Sequence, residues 1–282
     1  FAHPQIVPIL DKGHHKKIPY VVMRFLPGGS LGDRLGLTGQ GGSRTHSPSM
    51  LHFWLPLIAN ALDFLHSKNV VHRDVKPSNI FFDGFWNPFL GDFGLAKNNG
   101  TGAATGGEID LTATDTGLGT LAYTSPEQLM QSKSVDGRAD QYSLAVAVFE
   151  FLSGKKPFQG KEAHIVIEII QGNYSSLESL VPNLPKTLYT ALTRAMDRSR
   201  ERGYRTCKHF VTNLLEDVPK RLPEEDVARL LCPACKKIIK LRLSAAGTTA
   251  LCPKCKVPMT AAADLIAFWL VSEDPTQYVA EE

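Results

Sequence analysis

Two segments determine how the rest of the chain is interpreted: His72-Arg73-Asp74-Val75-Lys76-Pro77-Ser78-Asn79 and, after it, Gly91-Asp92-Phe93-Gly94. Together the two segments supply two aspartates, a lysine and an asparagine. Transfer of a phosphoryl group requires a metal ion held against the triphosphate, an acceptor hydroxyl placed in line and positive charge near the migrating group. The two segments contain side chains suited to each requirement.

These four side chains suit different parts of such a reaction. Asp74 can accept the proton of the acceptor hydroxyl, and Lys76 can offset the charge that develops on the transferred group. Asn79 and Asp92 can bind magnesium through their oxygen atoms. The alternative is that Arg73 is an ordinary surface cation and Asp74 an acid in a turn.

The order and spacing of these residues resemble the signature of eukaryotic-type (Hanks-type) protein kinases. Asn79 follows Asp74 by five positions, and Asp92-Phe93-Gly94 comes next. Lys76 resembles the serine/threonine class, and Asp140–Pro157 resembles bacterial kinases of this type. The resemblance implies an α+β fold with a mainly helical large lobe, the remnant of a small-lobe sheet, and transfer of phosphoryl groups from ATP with Mg²⁺ or Mn²⁺ to Ser or Thr in protein substrates.

The resemblance also implies an adenine pocket at the end of the apolar segment Tyr20-Val21-Val22-Met23. Met23 would line the back of the pocket, Phe25 and Leu26 would form the hinge, and the backbone of Leu26 would hydrogen-bond adenine. Phe81 would lie under the adenine ring. The alternative for the hinge is a core strand followed by a Pro27-Gly28-Gly29 turn.

Gly119–Glu127 resembles the substrate-docking strand of the family and its Ala-Pro-Glu end, with Ser125 in place of alanine. Thr120 in this segment would hydrogen-bond Asp74 and Lys76. The preceding segment, residues 95–119, resembles an activation segment. Its candidate phosphate acceptors, which would pair with Arg73 once phosphorylated, are Thr112, Thr114 and Thr116.

Other family-like residues are predicted to be structural. Glu127 requires a buried cationic partner, and Arg202 occupies the matching place in kinases. Asp140 would cap its helix and reach the catalytic-loop backbone near Arg73. His72 is expected to pack beneath Phe93. The remaining residues with reactive side chains predicted to be structural are His52, His66 and Cys207.

The Gly-rich loop, strand lysine and helix glutamate of a kinase small lobe would lie upstream of Phe1, so we expect that the natural chain begins before this residue. Residues 1–26 are then the end of the small lobe with the hinge, and residues 27–218 the large lobe. An inactive remnant or pseudokinase that serves as a protein-binding scaffold is the alternative function.

Cys232-Pro233-Ala234-Cys235 and Cys252-Pro253-Lys254-Cys255 enclose sixteen residues, a spacing typical of zinc sites. Four thiolates complete a closed, structural tetrahedral site, and the pattern resembles a zinc ribbon. Two disulfides or two redox dithiols are the alternatives. We place a linker at 219–227, the ribbon at 228–262 and a tail at 263–282.

The composition is that of an ordinary globular protein of 282 residues, with 43% hydrophobic and 21% charged residues. The 31 basic residues are balanced by 28 acidic ones, which makes a nucleic-acid partner unlikely. We expect instead that a protein partner could bind through the ribbon. No apolar run reaches the length of a membrane span, and the paired cysteines suggest a reducing compartment, so we expect a cytoplasmic location.

Overall fold

The computed structural model describes residues 2–16, 18–35, 46–83, 87–92, 120–130, 135–220, 227–231, 235, 238–242, 249–251, 254–256 and 258–260. The chain divides into two units, Phe1–Val218 and Pro219–Glu282. Each unit is described by itself.

Two small antiparallel sheets lie in the first unit. Strands β1 (Ile9–His15) and β2 (Ile18–Met23) form the first, and β3 (Ile80–Phe82) and β4 (Pro88–Leu90) form the second. A backbone bridge joins Ile6 to Leu90, so the segment before β1 lies beside β4.

Helices are the commonest regular elements in the described part of the first unit. They are α1 (Leu31–Arg34), α2 (Leu51–Ser67), α3 (Pro126–Leu129), α4 (Gly137–Ser153), α5 (Glu162–Gln171), α6 (Leu177–Leu180), α7 (Lys186–Ala195) and α8 (Cys207–Leu214). At the start of α1, the Ser30 hydroxyl accepts from the Asp33 amide at 3.1 Å and the Asp33 carboxylate accepts from the Ser30 amide at 2.7 Å. These two hydrogen bonds form a capping box that begins the helix.

Helix α4 is buried along almost its whole length. Every residue from Ala139 to Ser153 is buried, as the nearly continuous apolar sequence predicts. The indole of Trp54 in α2 lies 5.7 Å from the ring of Phe151 in α4. The helix ends at Gly154, whose φ of 67° is readily adopted only without a Cβ atom. Of the helices described, none is both long and apolar enough to cross a lipid bilayer.

The second unit contains two antiparallel hairpins in its described residues. Strand β5 (Val227–Leu231) pairs with β6 (Ile238–Arg242), and β7 (Thr249–Leu251) pairs with β8 (Pro258–Thr260). Each Cys-x-x-Cys sequence therefore falls between the two strands of one hairpin. Strand β5 begins within the segment predicted to be a linker.

Candidate active site

The loop at residues 72–79, predicted to be catalytic, is attached to α4 through the carboxylate of Asp140, which is fully buried. Its Oδ2 accepts from the His72 amide at 2.8 Å and lies 2.7 Å from His66 Nε2. Its Oδ1 accepts from the Arg73 amide at 2.7 Å. Because a buried carboxylate without hydrogen bonds is costly, these contacts fix the backbone at the start of the loop. The predicted contact between Asp140 and the loop is present.

The backbone of Arg73 adopts a φ of 66°, in the left-handed region that costs a non-glycine residue about 1–2 kcal/mol. Its carbonyl accepts from Gln128 Nε2 at 3.1 Å, while its amide is bound by Asp140. The amide and the carbonyl of Arg73 are therefore each bound by a side chain from another helix. The predicted phosphate partners of Arg73 at residues 112, 114 and 116 lie outside the described residues.

His72 connects the catalytic loop to the end of β4. Its Nε2 lies 3.0 Å from the carbonyl of Gly91, and its Nδ1 accepts from the Asp74 amide at 3.3 Å. Burial lowers the pKa of His72 below its ordinary value, and the charge of Asp140 opposes this effect. The neutral ring is a structural link, as predicted, and the expected neighbour Phe93 lies outside the described residues.

Asp74, Lys76, Asn79 and Thr120 come together in the structure. Lys76 Nζ lies 2.9 Å from Asp74 Oδ2 and donates to Thr120 Oγ1 at 3.3 Å. Asn79 Nδ2 donates to Asp74 Oδ2 at 2.9 Å and to the Asp74 carbonyl at 2.8 Å. The Asp74 side chain is 37% exposed, so it is oriented by two donors and remains accessible. Such a carboxylate can accept a proton from a hydroxyl group.

Thr120 is positioned by the residues that follow it. The Tyr123 amide donates to the Thr120 carbonyl at 3.2 Å. The Tyr123 hydroxyl donates to the buried carboxylate of Glu150 in α4, and the Ser143 hydroxyl donates to the Tyr123 carbonyl at 2.7 Å. The segment after residue 119 is therefore anchored to the same helix that holds the catalytic loop.

Asp92 lies beside Asn79 because the Gly91 amide donates to the Asn79 carbonyl at 2.9 Å. Its φ is 54°, and its charge acts on His72 together with that of Asp74. A side chain at Gly91 would come within 2.7 Å of the Phe81 ring, so glycine is required there. The amide oxygen of Asn79 and the carboxylate of Asp92 are both of the oxygen type that Mg²⁺ prefers.

Three of the residues predicted to contact adenine belong to one apolar cluster. Met23 and Phe81 pack against buried Leu26 and two residues that the sequence did not single out, Val7 and Phe89. Phe25 has an 84% exposed side chain and does not belong to this cluster. Val7 and Phe89 are brought beside Leu26 by pairings distant in sequence, which local patterns do not reveal.

Two structural predictions were wrong. Arg202 is exposed and pairs with Asp197 at 3.6 Å. Burial raises the pKa of Glu127 above its ordinary value, and the cation whose charge opposes this is Arg200. The cap of α4 is Asp136, whose side chain accepts from the Arg138 amide at 2.9 Å, because the helix begins one turn before Asp140.

A group formed by Asp63, His66 and Cys207 lies close enough to hold a metal ion. However, the Asp63 carboxylate accepts from the Cys207 amide at 2.8 Å and from the Lys208 amide at 2.9 Å. These hydrogen bonds satisfy the first two amides of α8. Burial raises the pKa of the Cys207 thiol well above its ordinary value, so this cysteine is a core residue. His52 Nε2 lies 3.0 Å from the Val218 carbonyl.

In the second unit, Cys235 and Cys255 are partly exposed and lie in turns between paired strands. The other two predicted zinc ligands, Cys232 and Cys252, lie outside the described residues. The structure therefore shows the positions of one cysteine from each motif.

A family model described as "Protein kinase domain" matches residues 1–240. The chain belongs to this family. It is 32% identical to the probable serine/threonine-protein kinase PknB of Bifidobacterium longum, over 76% of this chain and 31% of the relative. It is 30% identical to PknJ of Mycobacterium tuberculosis, over 74% of this chain and 34% of the relative. It is 30% identical to the serine/threonine-protein kinase PrkC of Bacillus subtilis, over 75% of this chain and 31% of the relative.

The chain thus spans about a third of the length of these curated relatives. The relatives are bacterial and are named as serine/threonine-protein kinases. The predicted membership of the kinase family, with its bacterial resemblance, is confirmed.

The buried imidazole of His72 predicts a pH dependence of stability. Above its ordinary pKa of 6.5 the ring is neutral in both states. Below that value the unfolded chain binds a proton that the folded protein does not. The free energy of unfolding therefore decreases as the pH is lowered. Urea denaturation from about pH 7.5 to about pH 5.5 should show a steeper loss for wild type than for His72→Gln, by up to about 1.4 kcal/mol per pH unit.

The matched control for this measurement is His15→Gln, which removes an exposed imidazole from β1. Equal slopes for the wild-type protein and His72→Gln would contradict the prediction.

Proposed function

We propose that the first unit carries the catalytic residues of a serine/threonine protein kinase, which transfers the γ-phosphoryl group of Mg-ATP to a Ser or Thr hydroxyl of a protein substrate. The observation that carries this proposal is the position of Lys76 Nζ, which contacts both Asp74 Oδ2 and Thr120 Oγ1. The family and the names of its bacterial relatives support the same reaction.

In this reaction Asp74 is the base. Its Oδ2 is bound by Lys76 and Asn79, which orients the carboxylate toward an incoming hydroxyl. The hydroxyl proton passes to Asp74 while the hydroxyl oxygen bonds to the γ-phosphorus and ADP leaves. The ammonium of Lys76 offsets the negative charge that spreads over the transferred group, and because it is 81% buried this interaction is only weakly screened.

Asn79 and Asp92 are the proposed ligands of the nucleotide-bound metal. Because Asn79 Nδ2 donates to Asp74, its Oδ1 is the atom left to bind a cation, and the carboxylate of Asp92 is the second proposed ligand. When bound, Mg²⁺ or Mn²⁺ neutralises charge on the phosphates. Met23, Leu26 and Phe81 supply the apolar surface proposed for adenine.

The roles proposed here are those of residues in the first unit, and the chain spans about a third of the length of its curated relatives. Activity is therefore best measured on the full-length gene product. A wild-type protein that binds Mg-ATP or partners but transfers no phosphate would favour the scaffold function instead.

Replacing the proposed base should abolish most of the activity without unfolding the protein. Asp74→Asn keeps the shape of the side chain and its acceptor oxygen but removes the basic carboxylate. Transfer of radiolabelled phosphate from ATP to a generic protein substrate should fall about 10²-fold or more, with an unchanged melting temperature.

The matched control is Asp217→Asn, which removes an exposed carboxylate after α8 and should keep wild-type activity. Activity of Asp74→Asn within a few-fold of wild type would rule out the assigned base.

We further propose that Cys232, Cys235, Cys252 and Cys255 bind one structural zinc ion. The hairpin turns at Cys235 and Cys255, together with two Cys-x-x-Cys sequences sixteen residues apart, support this proposal. Four thiolates form a closed tetrahedral site. Metal binding would stabilise a unit whose described strands are only three to five residues long.

Metal analysis of the purified protein should give one zinc ion per chain. Cys235→Ser should lose this zinc, because three thiolates bind it less tightly than four. Cys207→Ala, which removes the buried cysteine of α8, should retain it. A zinc-free wild-type protein, or full retention of zinc by Cys235→Ser, would refute the site.

A further inference from the structure

The side chain of Gln128 joins helix α3 to the loop that carries Asp74. Its Nε2 donates to the Arg73 carbonyl at 3.1 Å, and its Oε1 accepts from the Ser125 amide at 3.3 Å and the Ser125 hydroxyl at 3.1 Å. A carbonyl oxygen can only accept and a backbone amide can only donate. These partners therefore decide which end of the Gln128 side chain faces the loop.

The two ends of the Gln128 side chain serve different purposes. The oxygen end binds Ser125, the fully buried residue that precedes α3, and this contact helps to begin the helix. The nitrogen end makes no contribution to the start of α3, because its partner, Arg73, lies in the loop. A residue needed only to begin the helix would require just an acceptor, which glutamate also provides.

The carbonyl that Gln128 binds belongs to the peptide group that joins Arg73 to Asp74. The N–H of the same peptide group, on Asp74, donates to His72 Nδ1 at 3.3 Å. A peptide group is planar, so a plane bound at its oxygen and at its nitrogen has a fixed orientation. The Cα atom of Asp74 lies in this plane, and the direction in which the Asp74 side chain leaves the backbone follows from it. The left-handed φ of Arg73 is unfavourable by itself, so we expect the peptide to rotate when one of the two hydrogen bonds is lost.

The segment that contains Gln128 contacts the loop on both sides of Asp74. At the start of this segment, Thr120 Oγ1 accepts from Lys76 Nζ at 3.3 Å, two residues after Asp74. At its end, Gln128 binds the residue that precedes Asp74. Between these contacts, Tyr123 attaches the segment to α4. Two contacts from one anchored segment therefore flank the residue proposed as the base.

We propose that Gln128 is a positioning residue for phosphoryl transfer, which fixes the peptide between Arg73 and Asp74 and thereby the Asp74 carboxylate. The inference rests on the function proposed above, in which Asp74 accepts the proton of the acceptor hydroxyl. Gln128 acts through the backbone of the loop and has no direct part in the chemistry. Because a misplacement of about 1 Å can cost about 10²-fold in rate, loss of its donor lowers kcat while substrate binding is retained.

The variant Gln128→Glu tests this role, because it keeps an acceptor for Ser125 but removes the donor to the Arg73 carbonyl. In the full-length gene product, kcat should fall about tenfold or more, while KM for Mg-ATP and for the protein substrate stays within about twofold and the melting temperature is unchanged. Gln128→Met, which adds no charge, should lower kcat to a similar extent. The matched control is Gln159→Glu, which removes an exposed donor to the Lys156 carbonyl at 2.9 Å and should keep wild-type kcat.

Amide hydrogen exchange gives a readout that does not require phosphoryl transfer. In Gln128→Glu, the Asp74 amide should exchange at least about fivefold faster than in wild type, while the amides of His72 and Arg73, which Asp140 binds, stay protected.

Wild-type kcat in Gln128→Glu or Gln128→Met, a loss that appears only as a raised KM, an equal loss in Gln159→Glu or unchanged exchange at Asp74 would each overturn the inference. A wild-type protein that transfers no phosphate would refute the proposed function instead, and exchange at Asp74 would then decide by itself whether Gln128 orients this peptide.

Discussion

The buried carboxylate of Asp140 is the interaction on which the proposed site depends. It lies in α4, the most completely buried helix described, and accepts hydrogen bonds from the amides of His72 and Arg73. Hydrogen bonds to a charged group contribute about 1.5–3 kcal/mol each, which is enough to offset the left-handed backbone of Arg73. A conformation unfavourable for the loop alone thus becomes the stable one in the folded protein.

From this anchor a chain of short contacts reaches Asp74, Lys76, Asn79 and Thr120. His72 connects to Gly91, and Gly91 connects to Asn79. Asn79 then orients Asp74, and Lys76 links Asp74 to Thr120. Because each of these contacts positions the next, the proposed base, the cation and one proposed metal ligand are held together, as catalysis by orientation and charge stabilisation requires.

The sequence predicted the residues of this group because they lie in short motifs whose order and spacing are informative. It failed for contacts that depend on how separate segments of the chain fold against each other. Arg200 rather than Arg202 influences Glu127 because the one-turn helix at 200–202 leaves Arg202 exposed. Likewise Val7 and Phe89 meet Leu26 only through pairings between segments distant in the chain.

Amide hydrogen exchange of the catalytic loop in Asp140→Asn provides the most direct test of the anchoring role of Asp140. The asparagine has a single acceptor oxygen, so it cannot accept from both amides as the carboxylate does. We predict that exchange at His72 and Arg73 becomes faster by at least about tenfold, while amides in the middle of α4 stay protected. Unchanged protection at both loop amides would show that the loop is held by other interactions and would contradict the account.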